Sequence, residues 1–183
     1  NTIHPVTYHV VDMIRGSFEL FTLILIVFYS GLLVWKEREP KFDEVVDATP
    51  MALGVPLLSK FAALMLLLLV LLCGSALGGM IFQLVMGYTR LEPGVYLGMY
   101  ILPALVTYGI MAALSFVVHV LVNNKYVGYG VFIALIFLPD LLLNAFDINS
   151  NLASFNSAPS IRYSDMNAYG TALTGWLWFK AYW

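Results

Sequence analysis

The stretch FAALMLLLLVLLCGSALGGMIFQLVMGYT, Phe61–Thr89, decides the fold. It carries no Asp, Glu, Lys or Arg. Crossing the hydrocarbon core of a bilayer takes about 20 helical residues, and this stretch exceeds that length. Its apolar residues run on without alternation, which argues against a strand of a transmembrane barrel. In lipid, a helix satisfies its own backbone hydrogen bonds. The stretch is therefore read as a membrane helix.

Working outward, the apolar run around it extends over Pro56–Met86, with Lys60 near its start. Three further runs are long enough to cross: Ser17–Trp35 with Glu19 near its start, Pro93–Leu121, and Tyr126–Phe146 with Asp140 inside it. Another begins near Trp176. The expected fold is all-α, a polytopic transmembrane helical bundle. Its expected organisation is an outer N-terminal piece at 1–16 and a transmembrane domain at 17–146, whose four spans enclose a cytoplasmic segment at 36–59. An outer polar loop at 147–174 and the start of a further span at 175–183 follow. The chain begins at Asn1 and stops at Trp183 inside an aromatic stretch, and it is read as part of a longer protein.

Composition agrees. Of 183 residues, 61% are hydrophobic and 11% charged, with a mean hydropathy of +0.84. A soluble domain is about 45–50% apolar and about 25% charged. A water-soluble monomer of this size would lack the polar residues to cover its surface. The net charge of −2 comes without a basic block, so nucleic acid is not an expected partner. The single cysteine, Cys73, excludes an internal disulfide and reads as a packing residue.

Lys and Arg near span ends set orientation, and they favour the cytoplasm. Lys36, Arg38, Lys41, Lys60 and Lys125 fall on one side; Arg15, Arg90 and Arg162 fall on the other. Five against three places the Lys36 side inside.

That side carries WKEREPKFDEVVDATPMALGVPLLSK, Trp35–Lys60. Phe42, Val45 and Val46 follow helical spacing, with Asp43, Glu44 and Asp47 on the other face. Thr49 precedes Pro50, which ends the helix there. Thr49 can then cap a new turn with Pro50 at its first position. A helix and an elbow between two spans can receive a partner's movement; the plainer reading is a solvated connection.

FYSGLLVWKERE at Phe28–Glu39, DEVVDATP at Asp43–Pro50 and LLSK at Leu57–Lys60 resemble the permease subunit of ABC transporters of the ABC-2 class. YSDMNAYG at Tyr163–Gly170 and WFKAYW at Trp178–Trp183 resemble bacterial members, especially of Bacteroidota, fused to a zinc aminopeptidase domain. The resemblance implies a permease in the bacterial inner membrane, paired with an ABC ATPase subunit and with another permease half or copy. ATP would be held by the ATPase and no cofactor by this chain. By position it assigns ATPase coupling to Asp43, Glu44, Val46, Asp47, Thr49 and Pro50, with Glu37 and Arg38 as the charged span end. Two alternatives are a membrane anchor for a downstream peptidase and an ion- or proton-coupled carrier using Asp140.

Neither a GxxxxGK[ST] phosphate loop nor HExxH occurs, so no catalytic or metal residue is expected on this chain. A carboxylate inside a span is a functional candidate by default, which singles out Asp140. It also lies close enough to the outer end to reach water or pair with Arg162 or Arg90. Arg15 and Glu19, four apart, read as a surface ion pair. Gly74 with Gly78, Ser75 with Gly79 and, more weakly, Gly94 with Gly98 are small residues four apart, expected at helix contacts.

Overall fold

The computed structural model describes residues 5–38, 54–148, 150, 152–161, 163, 166 and 168–183. They form five helices: α1 (Thr7–Arg38), α2 (Gly54–Val85), α3 (Pro93–Leu121), α4 (Lys125–Ala145) and α5 (Ala172–Tyr182). The first four are long and apolar enough to cross a membrane, and no strand occurs among the described residues. α1 and α3 form the centre, and α2 and α4 each pack on both. The start of α1, the end of α2, the start of α3 and the end of α4 share one end of the bundle, here the upper end. The lower end holds the end of α1, the start of α2 and the α3–α4 turn.

Residues 7–16, expected as a separate outer piece, belong to α1 instead. Val10, Val11 and Ile14 are buried there. They meet α2 at Gly79, where an added Cβ would collide with Ile14 and stand 3.2 Å from Val10 Cγ1. The apolar stripe needed to continue the helix thus lies within the presumed outer piece, and a glycine opposite gives it room.

Close approach falls elsewhere than expected at the other small residues. Gly74, Gly78, Gly94 and Gly98 face open space; a Cβ at any of them meets nothing within 4 Å. Spacing by four places residues on one face without saying which face turns inward. α2 is apolar on every side, with Leu66, Val70, Leu77 and Ile81 exposed, so its sequence cannot choose. The glycines that do permit contact besides Gly79 are Gly31, whose Cβ would strike the Tyr129 ring, Gly128, whose Cβ would stand 2.5 Å from His119 Nδ1, and Gly109, whose Cβ would stand 3.2 Å from Met65 Cε. Gly79→Leu is therefore expected to lower stability by about 1–3 kcal/mol through overpacking. Gly74→Leu is expected to stay within about 0.5 kcal/mol of the parent. Unfolding titrations of both variants in mixed micelles measure the contrast.

Lipid tails are as apolar as leucine, so helices in a membrane associate through fit and polar contacts more than through hydrophobic burial. Two polar seams serve this purpose. At the upper end, Tyr96 Oη donates to Gln83 Oε1 (2.8 Å) and Gln83 Nε2 donates to the Pro5 carbonyl (3.0 Å). Ser75 and Tyr100 share a hydroxyl contact of 2.8 Å. At the lower end, Ser30 meets Ser115, and Trp35 Nε1 donates to His119 Nδ1 (3.4 Å). The Tyr129 ring stands edge-on to His119, with centroids 5.0 Å apart.

The helix ends are closed locally. After α2, Gly87 takes φ +81°; Tyr88 N–H donates to the Gln83 carbonyl and Gly87 N–H to that of Leu84. This pairing satisfies carbonyls that the helix leaves free. Asp147 takes the same place after α4 at φ +54°. Asn124 caps α4, its Oδ1 accepting from the N–H groups of Tyr126 and Val127.

Candidate functional site

α3 does not begin as a regular helix. Tyr96–Ile101 forms a π-helical turn, followed by Pro103. Proline has no N–H, so Pro103 cannot donate to the Met99 carbonyl four residues earlier. Arg15 on α1 donates to that oxygen instead, Nη2 to O at 2.6 Å. Its Nη1 also reaches the Ile161 carbonyl at 3.5 Å and the Asp12 carboxylate at 3.6 Å. Arg15 thus joins α1, the π turn and the loop after α4. Its ionic partner is Asp12, one turn earlier, where the sequence suggested Glu19.

That loop folds back over the upper end and is pinned by Asn156. Asn156 is buried and adopts φ +56°, a left-handed conformation that asparagine tolerates better than most residues. Its Nδ2 donates to the Thr107 carbonyl at 2.8 Å. Its Oδ1 accepts from Lys180 Nζ at 2.7 Å, and its backbone carbonyl accepts from the same ammonium. One side chain thereby ties loop, α3 and α5 together. Further along the chain, Tyr163 stacks on Tyr8 with centroids 4.4 Å apart and stands edge-on to Tyr169. Burial first, and the Asp12 carboxylate second, hold the Tyr169 hydroxyl above its ordinary pKa.

Between α1, α3, the loop and α5 lies a cavity of about 360 Å³. Arg15, Glu19, Asn156 and Lys180 supply its charged and amide groups, and Trp176 and Tyr108 its aromatic walls. Leu23 and Met111 lie about 12 Å further along their helices than Arg15 and Pro103, and line its lower part. Such a concave, largely apolar space with a few convergent polar groups is how small-molecule sites are built.

Comparison with known protein families, with curated proteins and with solved structures found no match for this chain. Its reading therefore rests on the residues themselves.

Sequence reasoning did not assemble this cavity. Glu19, Thr107, Asn156 and Lys180 are far apart in the chain and obey no spacing rule. Two signals were available: a buried-length loop rich in Asn and Ser, and a lysine one helical turn beyond Trp176. Of the residues singled out beforehand, Asp43, Glu44, Val46, Asp47, Thr49 and Pro50 lie outside the described residues. Glu37 and Arg38 form the last turn of α1. Asp140 lies on an exposed flank of α4, accepting a hydrogen bond from the Ser154 hydroxyl, and lines a shallow polar recess with Asn144 and Ser150. It is not drawn into the α1–α3 centre of the bundle. Ser75 and Gly79 turn toward α1 and α3, whereas Gly74 and Gly78 do not.

Proposed function

We propose that this chain is the transmembrane permease domain of an ATP-driven transporter of the ABC-2 class, which couples a separate ATPase subunit to substrate movement across the bacterial inner membrane. The observation that supports this reading most directly is the length and continuity of the two helices flanking the acidic segment. α1 and α2 have 32 residues each, or about 48 Å, against about 30 Å of hydrocarbon. Both run unbroken to the lower end, where Glu37, Arg38 and the stretch 39–53 join them. Movement imposed on their lower ends would be carried into the membrane along two continuous helices. The reading assigns no catalysis to this chain, leaves ATP to the partner, and calls for a second permease half or copy.

The test is charge reversal in the acidic segment. Asp43→Lys with Glu44→Lys should leave insertion and expression intact while ATP-driven flux in proteoliposomes falls tenfold or more. ATP hydrolysis by the associated ATPase should lose its response to substrate. Unchanged flux and unchanged coupling would reject the docking role. The exposed placement of Asp140 beside Ser154 gives the rival carrier reading no particular support.

A further inference from the structure

The upper cavity contains a buried cation that no carboxylate among the described residues answers. Lys180 is only 7% exposed. Its ammonium donates to two oxygens of Asn156, both neutral, and sits 5.7 Å from the centroid of the Trp176 ring. Among the described residues, no carboxylate lies within ion-pair distance of Lys180. Arg15, the other cation lining the cavity, already has Asp12 and two carbonyls. Taking an ammonium out of water is costly unless a counter-charge meets it. Neutral oxygens and an aromatic face return part of that cost, and an anion returns more, because hydrogen bonds between charged groups are about twice as strong as neutral ones.

We infer that this cavity binds a small amphiphile, its singly charged carboxylate or phosphate head on Lys180 and its apolar chain along Leu23 and Met111. The volume lies within the range of small-molecule sites. Lys180 and Asn156 lie where the loop and α5 border the cavity, and Leu23 and Met111 line the part of the helical wall furthest along α1 and α3. The bundle's exposed faces are those of a membrane protein, so amphiphiles are the molecules concentrated around it. Glu19 also lines the cavity; it is exposed, so water screens it from the head group, but it disfavours a doubly charged one. The inference does not depend on ATP coupling.

The full-length protein in nanodiscs is titrated with radiolabelled decanoate, without nucleotide or ATPase, and empty nanodiscs give the background. Saturable binding of one decanoate per chain is expected. Decanol, with the tail but no charge, and acetate, with the charge but no tail, should compete at least tenfold more weakly. Lys180→Gln should weaken binding roughly tenfold or more, the scale expected for loss of one charged hydrogen bond. Lys180→Arg should largely restore it. Ala104→Trp fills the cavity without touching Lys180 or Asn156 and should abolish binding even if Lys180→Gln misfolds. Equal competition by decanol or by acetate, or parental binding in Ala104→Trp, would overturn the assignment.

Discussion

Asn156→Ala is expected to release the loop and α5 from the rest of the bundle. Three losses coincide at this position. The Thr107 carbonyl loses its side-chain donor, and Lys180 keeps only the backbone oxygen of residue 156. Alanine must also hold φ near +56°, which costs an L-residue about 1–2 kcal/mol. Removing a hydrogen-bond partner of a buried charge dominates, and such bonds are worth about 1.5–3 kcal/mol. The loss should be local, because the polar seams that join α1, α2 and α3 do not involve Asn156. Hydrogen exchange should therefore accelerate by a hundredfold or more in 152–161 and 172–182, with little change in the cores of α1 and α3. Adding Lys180→Met removes the stranded charge and should recover part of the protection. Unaltered exchange in Asn156→Ala would show that the loop is held by something other than this side chain.

The second large effect is expected at Gly128. Only Gly128 and Phe132 of α4 are buried, and both lie in its first eight residues. The helix is thus attached mainly by its lower half, where Gly128 admits the His119 imidazole and Tyr129 enters the space left by Gly31. Gly128→Leu places a branched side chain where a single carbon would already stand 2.5 Å from Nδ1. Overpacking of about 1–3 kcal/mol falls on a helix with few other contacts. α4 should separate from α1 while α1, α2 and α3 remain together. In a Cys73→Ser background, Phe28→Cys and Tyr129→Cys should join efficiently through a short bismaleimide, since those rings lie 5.6 Å apart. Gly128→Leu should reduce that yield several-fold. Gly128→Ala should reduce it less, because a single methyl group overlaps the imidazole less than a leucine side chain does. Full cross-linking in Gly128→Leu would mean that α4 is held elsewhere.

Both expectations depend on contacts that the sequence does not announce. The four spans were legible because length and unbroken apolarity suffice to define them; the third was placed at Pro93–Leu121, as observed. The early start of α1 was missed because Arg15 and Asp12 look like solvent-facing charges, although they occupy the same turns as buried Val11 and Ile14. Of the packing glycines, Gly79 was placed correctly, while Gly74 and Gly78 were not, for a different reason. A membrane helix is apolar toward lipid and toward its neighbours alike, so hydrophobic patterning loses the power to distinguish faces that it has in water. The cavity was invisible because Asn156 reaches back 49 residues to Thr107 and forward 24 to Lys180. Only the missing N–H of Pro103 hinted that the Met99 carbonyl would seek an outside donor.

α1 has one last consequence. It contains no proline, lines the cavity near its beginning and finishes in Glu37 and Arg38. Ser30 touches Ser115 between these two points and can act as a fulcrum. A rigid rod pivoting there by about 5° displaces Arg15, roughly 22 Å away, by about 2 Å, and swings Arg38 the opposite way by about half as much. If the rod pivots there, filling the space beneath Arg15 and pulling on its tail would turn the same lever.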